Sequence, residues 1–417
     1  MAEYIINGCH KLNGCVEIQG AKNSALPILA ASILCRDEVI IHNCPQLSDV
    51  DTAVKILRYL GCMVYRDGNT IVIDSNGIYR CDIPNELMCK MRSSIIFLGA
   101  ILGRIKQAQL SYPGGCELGP RPIDLHLSAF TQMGMTCNDS HGKLECDAGK
   151  GLNSANITLS LPSVGATENI MLGAVCAKGI TTISNAAREP EICDLADFLN
   201  SCGARIKGAG ESTIYIEGVK ALGGTQHCII PDRIVAGTYM ASTAVCGGKL
   251  LLKGVITSHL NAITSAIEQS GCLIDYTSEG VYISSDKRLK KLRLIRTMPY
   301  PGFPTDAQAP LMSMCCFAQG TSVFVENVFE NRYKHVSELS KMGANIYVHD
   351  RVAVVEGGNK LTGATVEARD LRGGASLVVA GLGAEGTTII KGINHIERGY
   401  EDFEVCLSNI GADIKKV

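Results

Sequence analysis

No stretch of the sequence is dominated by a few residue types, and only 19% of residues are charged against 46% hydrophobic. Chains that stay unfolded are too polar to bury a core, so nearly all of this one is expected to fold. A dominant charge is missing as well, since 39 basic and 41 acidic side chains leave a formal net charge of −2. That excludes a broad nucleic-acid surface, and any cationic site must be local. The longest apolar runs, such as residues 95–103, fall far short of the ~20 residues that span a bilayer. The opening MAEYIINGCHKLNG has no basic stretch leading into an apolar one, so no secretory leader is expected. No Cys-x-x-Cys pair is matched by a second Cys or His pair, which argues against a zinc site. Nineteen cysteines, an odd number, are scattered through apolar patterns such as Cys315-Cys316. They argue against a disulfide framework and for a reduced, cytoplasmic protein. At 417 residues the chain exceeds the size at which one core stops growing, and two domains are expected.

What is present is a repeat. A short β-branched strand, a polar loop, an amphipathic helix, a glycine and another strand recur six times, from VIIHNCPQLSDVDTAVKILRYLGCMV to TIIKGINHIERGYEDFEVCLSNIGADI. The closing glycines are Gly61, Gly134, Gly203, Gly271, Gly343 and Gly411, spaced 73, 69, 68, 72 and 68 residues apart. Each unit also holds a more uniformly apolar helix, such as AKNSALPILAASIL or DLRGGASLVVAGLGA, expected to be buried on most sides. Six α/β units of βαβαββ order therefore account for the chain. Gly8, Leu12 and Gly14 share the spacing of Gly218, Leu222 and Gly224, and of Gly357, Leu361 and Gly363. In the later copies this segment is the tail of a unit, and the last unit ends without one. Residues 1–21 are thus expected to complete the last sheet, giving one domain of 22–230 and another of 1–21 plus 231–417. The active site is expected in the cleft between them.

The starts of the buried helices concentrate cations: Lys22-Asn23-Ser24, Arg92-Ser93-Ser94, Asp232-Arg233 and Arg372-Gly373-Gly374. A helix N-terminus presents unpaired N–H groups, and a cation beside it makes an anion receptor. Each is equally open to the plainer reading of a solvated surface charge. Six similar helix starts move the balance toward an anion site. In SYPGGCELGPRPIDLH, Cys116 stands between flexible glycines and restricting prolines, with Arg121 five residues on. Such a loop suits a reactive thiol, although one cysteine among 19 is also open to being a small buried hydrophobe. Asp306 reads either as part of a helix cap or as a carboxylate that accepts a proton from a hydroxyl. Arg398 is open to pairing with Glu401, and the Arg188-Glu189-Pro190-Glu191 loop reads as structural. His126 reads as a hydrogen-bonding or stacking group.

Taken in order, GAKNSALP, MRSS, YPGGCELGPRPIDLH, PSVGATENIM, NAAREPEI, PDRI, FPTDAQA, ENRYKHVSEL, DLRGGASLVVAG and HIERGYE resemble the bacterial UDP-N-acetylglucosamine enolpyruvyl transferases from end to end. The resemblance implies a two-domain inside-out α/β barrel with three βαβαββ units per domain. It implies transfer of the enolpyruvyl group of phosphoenolpyruvate to the sugar's 3′-hydroxyl through a tetrahedral phospho-ketal, as the first committed step of peptidoglycan synthesis. Cys116 would protonate the methylene carbon, and fosfomycin alkylates its counterpart in relatives. Lys22, Arg121 and Arg398 would bind phosphate and carboxylate, Asp306 would deprotonate the hydroxyl, and Asn23 would hold the sugar. Arg92, Arg121, Pro122, Ile123, Asp124, Leu125, His126, Ser163, Val164, Gly165, Val328, Arg332 and Arg372 match further substrate-contacting positions. Leu161-Pro162 stand where some relatives carry a lysine. No cofactor is implied other than a covalent phosphoenolpyruvate or pyruvate adduct on Cys116. Small-molecule substrates are the implied partners, without nucleic acid, membrane or a defined oligomer. Two rivals differ by test: a shikimate-pathway enolpyruvyl transferase, against which the cysteine loop speaks, and a non-catalytic UDP-sugar-binding regulator. RNA 3′-phosphate cyclases share a related fold, but their motifs are absent.

Overall fold

The computed structural model describes residues 2–114, 123–140 and 142–417. Two compact units account for them, the first from residues 20–114 and 123–230, the second from residues 2–19 and 231–417. Each holds three four-stranded sheets of one design. In Asn156–Thr158, Ile180–Ser184, Thr213–Glu217 and Arg205–Lys207 the short edge strand runs parallel to its neighbour, and the other two pairings are antiparallel. Alternation along these strands puts Ile183, Ile214 and Ile216 wholly inside while the opposite face meets solvent. The chain writes the sheet as strand, buried helix, strand, amphipathic helix, hairpin.

Two edge strands depart from that order where the chain passes from one unit to the other. Leu12–Glu17 leads into the first unit's helix Lys22–Ala31 yet pairs in parallel with Gly248–Lys253 of the second. Gln226–Cys228 leads into the second unit's helix Arg233–Cys246 yet pairs with Val39–His42 of the first. Tyr4–Asn7 lies antiparallel between Thr387–Lys391 and Asp413–Lys416. Of the opening 21 residues, then, only that strand lies in the last sheet, and Leu12–Glu17 lies in the sheet of residues 248–285.

All six closing glycines take left-handed backbone, with φ between +91° and +108°. This conformation ends a helix by turning the chain where a Cβ would be strained, so each glycine stops an amphipathic helix and starts a strand. The buried helices approach one another closely. A Cβ on Gly99 would lie 2.2 Å from the Asn169 carbonyl oxygen, and one on Gly383 2.1 Å from Val245 Cγ1. Arg92-Ser93-Ser94 do not open an α-helix: Arg92–Ile96 is a 3₁₀ turn, and the α-helix begins as Phe97–Ile105. Thr305–Cys316 starts after Pro304 with no side-chain cap, which removes the capping role considered for Asp306. Asp232 and Asp370 do cap, each accepting two backbone N–H groups. Among the described residues no helix is long and apolar enough to cross a membrane, and every described cysteine is a free thiol.

One polar junction sits inside the first unit. Asn169 accepts from the Gly99 amide at 2.6 Å and donates to the Ile95 carbonyl and to His126 Nδ1, both at 2.9 Å. The buried His126 ring is pushed down to about 4 by desolvation and then by the charge of Arg92. His335 in the second unit is pushed down too, by burial first. Both imidazoles are therefore neutral in the fold, whereas an unfolded chain takes up protons below about 6.5. The unfolded state then binds more protons, and stability falls as the pH drops from about 6.5 toward 4, by at most about 3 kcal/mol per histidine. Glu168, pushed well above the usual range by burial, acts with the opposite sign over this window, so the histidine effect is read by comparison: His335→Leu should lose less of its urea midpoint than the wild type between pH 7 and pH 5, and an equal loss in both would contradict it. Gly203→Ala isolates the backbone term, because nothing lies within 4 Å of the added Cβ. It should cost about 1–2 kcal/mol in urea unfolding.

Candidate active site

In the first unit, Lys22 opens its helix only 8% exposed, with Nζ 3.1 Å from Asp49 Oδ2. Asp49 lies in the first turn of Ser48–Leu60 and is itself buried. A buried ammonium needs such a partner, so Lys22 is not a solvated surface charge. Asn23 is exposed beside it. Ser24 Oγ donates to Asp194 Oδ2, and Asp194 Oδ1 takes a 2.8 Å contact from His227 Nε2, which pins the start of the helix. Arg92 is half-buried and its charge reaches His126. Ile123 precedes the helix Asp124–Gln132, which carries Asp124 exposed, Leu125 half-buried and His126 buried. Ser163 caps Val164–Ala174 by accepting the Ala166 amide at 3.3 Å. A Cβ on Gly165 would stand 3.5 Å from His126 Cε1, so Arg92, His126 and the 163–165 segment come together. Nearby carboxylates were not foreseen: buried Glu168 is pushed well above the usual range by desolvation, then by Glu191 and Glu189.

In the second unit the centre is Asp306. Its Oδ1 lies 2.8 Å from Arg332 Nη2 and its Oδ2 3.2 Å from Arg372 Nε. Arg332 also donates to the Thr305 carbonyl at 3.2 Å. Both arginines are buried, at 3% and 2% exposure. Arg332 Nε and Arg372 Nη1 and Nη2 have no hydrogen-bond partner among the described residues. The Arg372 guanidinium lies 5.4 Å from the Tyr400 ring centroid, and Asp370 accepts the Arg372 amide at 3.1 Å. Arg372 is thus a buried partner of a carboxylate and not a solvated charge. Arg398 is half-buried beyond the turn Ile393–His395, in a loop held by Gln19, which donates to the Gly399 carbonyl and accepts the Glu401 amide.

Glu326 is the residue that reading the sequence missed. Almost fully buried, it accepts from Thr297 Oγ1 and Thr305 Oγ1, both at 2.9 Å, and from the amides of Val328 and Phe329. One carboxylate therefore fixes both the residue before Asp306 and the loop that displays Val328. Its only signal in the sequence is an acid directly after the strand Gly320–Val325. Asp49 gave no signal beyond being an acid near a helix start. Cys116, Arg121 and Pro122 lie outside the described residues.

Buried N–H groups without partners are costly unless something fills them. An oxyanion fits those donors. An ionised carboxylate is acceptor-only, so a hydroxyl brought to Asp306 would have to donate to it.

The family model of EPSP synthase (3-phosphoshikimate 1-carboxyvinyltransferase) matches residues 6–407. A UDP-N-acetylglucosamine 1-carboxyvinyltransferase 2 of Caldanaerobacter subterraneus subsp. tengcongensis is 51% identical over 417 residues, covering 100% of both chains. A protein of the same organism named UDP-N-acetylglucosamine 1-carboxyvinyltransferase 1 is 48% identical and covers 99% of each. Among solved structures, the enolpyruvyl transferase NikO from Streptomyces tendae superposes with a TM-score of 0.90 at 25% identity, covering 100% of this chain and 99% of that one. An EPSP synthase from Acinetobacter baumannii, 17% identical, shares the fold with a TM-score of 0.77 and full coverage of both chains. With its six four-stranded sheets in the enolpyruvyl transferase fold, the chain belongs to the EPSP synthase family, on the branch of the UDP-N-acetylglucosamine 1-carboxyvinyltransferases.

Proposed function

We propose that this chain transfers the enolpyruvyl group of phosphoenolpyruvate to the 3′-hydroxyl of UDP-N-acetylglucosamine, releasing phosphate, in the cytoplasmic synthesis of peptidoglycan. The observation that carries the reading is Asp306 held by two buried arginines that keep three N–H-bearing nitrogens without partners among the described residues. It supplies a hydroxyl acceptor and oxyanion donors at one place.

The Cys116 thiol gives its proton to the methylene carbon of phosphoenolpyruvate, and the 3′-oxygen bonds to the neighbouring carbon as its own proton passes to Asp306. The product is a tetrahedral phospho-ketal. The Cys116 thiolate then takes a proton back from the new methyl group, which restores the double bond as the carbon–oxygen bond to phosphate breaks and the electron pair leaves with phosphate. Positive charge developing at the central carbon is balanced by the substrate's own carboxylate and phosphate, which Lys22, Arg121 and Arg398 hold in place. Lys22 serves this better for being fixed by Asp49, since a preorganised charge needs no reorganisation during the reaction. Asn23, Arg92, residues 123–126, Ser163 to Gly165, Val328 and Arg332 hold the nucleotide sugar. Arg372 orients Asp306 and adds a phosphate-side charge. No cofactor takes part.

Phosphate release should require both phosphoenolpyruvate and UDP-N-acetylglucosamine; release with shikimate 3-phosphate instead would move the chain to the other branch of the family. Cys116→Ala is expected to abolish turnover at neutral pH, whereas Cys116→Asp keeps activity and resists fosfomycin. Equal fosfomycin sensitivity of wild type and Cys116→Asp would remove the thiol from the mechanism. Asp306→Asn should lower kcat by roughly 10²- to 10⁴-fold, the usual worth of a placed general base.

A further inference from the structure

The three buried helices of the first unit begin at or near Lys22, Arg92 and Ser163, and at their opposite ends the chain borders a half-open cavity of about 490 Å³. Arg36, Arg104, Lys106, Lys150, Lys178 and Lys220 line it, and no acidic side chain does. Among the described residues none of these six cations makes an ion pair with a carboxylate. Arg104 is the innermost of them. Its Nη1 is enclosed without a hydrogen-bond partner among the described residues. The charged group acting on it is Arg36, and the thiols of Cys176 and Cys62, pushed up by burial, and of Cys35, pushed up by its bond to Cys202, stay neutral beside it.

A solvated cationic rim is the plainer account, because positive side chains complement the negative end of a helix. Three helix C-termini supply only about half a negative charge each, which six cations exceed severalfold. The corresponding ends in the second unit also carry lysines, Lys287 against Gly247 and Lys291 against Gly320, but there the space is filled. At the corresponding ends of the second unit's buried helices, the Phe317 ring and Val245 fill the space beside Gly383, both within 2.8 Å of where its Cβ would be. Lys360 there is paired with Glu385 at 2.8 Å. Like cations gathered around an open cavity repel one another, and a multivalent anion is the occupant that offsets the repulsion.

The other lining residues narrow the class. They are leucine, valine, alanine, glycine and Cys176, with no aromatic ring to stack a base and no amide, hydroxyl or carboxylate to read a base or sugar. Charge is the only chemistry offered, and the glycines leave the backbone open to close approach. We propose that this cavity binds a compact oligophosphate, either as the free ion or as the oligophosphate part of a nucleotide. The occupant sits at the far ends of the helices whose starts carry Lys22 and Ser163.

Calorimetric titration of the full chain with inorganic tripolyphosphate tests this. Wild type and Arg398→Gln should both show one saturable site. The double variant Lys178→Gln with Lys220→Gln, which alters two exposed side chains, should bind at least about tenfold more weakly. Binding should also fall steeply with added salt, as expected for a charge-dominated contact. ATP binding within about threefold of tripolyphosphate assigns the site to the phosphates alone, and ATP at least tenfold tighter assigns it to a nucleotide. Absence of saturable binding, unchanged affinity in the double variant, or loss in Arg398→Gln alone would each overturn the proposal.

Discussion

Burial of six nearly apolar helices is the constraint from which the rest of the structure follows. A helix enclosed on every side can carry no charge along its length, because a buried charge without a partner costs several kcal/mol. Charged groups therefore collect at the ends. At the starts stand Lys22, Asp306 and Arg372, where unpaired N–H groups already favour anions. At the far ends in the first unit stand Arg104 and the basic cavity. Close packing of the same helices also fixes where side chains cannot be, which is why Gly99 and Gly383 lie against backbone and Val245.

Much of this was legible because it is local. The six closing glycines announce themselves by position, and the left-handed backbone they adopt is a property of single residues. The strand exchange was not legible for the opposite reason. The Gly-x-x-x-Leu-x-Gly pattern of Gly8 to Gly14 recurs at Gly218 to Gly224, and nothing within either copy says which sheet its strand will join. Pairing partners are set by tertiary register, so residues 12–17 could be recognised as a strand and still be assigned to the wrong sheet.

The site divides in the same way. Lys22, Asp306 and Arg372 were found from their helix starts, but which groups they pair with was not. Asp49 stands 27 residues from Lys22, and Arg332 and Arg372 stand 26 and 66 residues from Asp306. Each was read as an isolated charge, and the fold turned the charges into buried pairs. Glu326 escaped notice because its four hydrogen bonds reach Thr297, Thr305 and two amides of its own loop, a network visible only once strand and helix are side by side.

Those buried pairs show what the protein gives up to keep its chemistry. Replacing a buried ion pair by well-packed apolar residues is often neutral or stabilising, so the Asp306 cluster is not there to hold the fold. Three guanidinium nitrogens have no partner among the described residues, and a buried donor left unpaired costs about 1–3 kcal/mol. An oxyanion that fills them recovers that cost on binding, so its affinity exceeds what its own new contacts would give to a flexible, solvated arginine. Charge held rigid and unsatisfied is unfavourable for stability and favourable for recognition, and the cluster is retained on the second account.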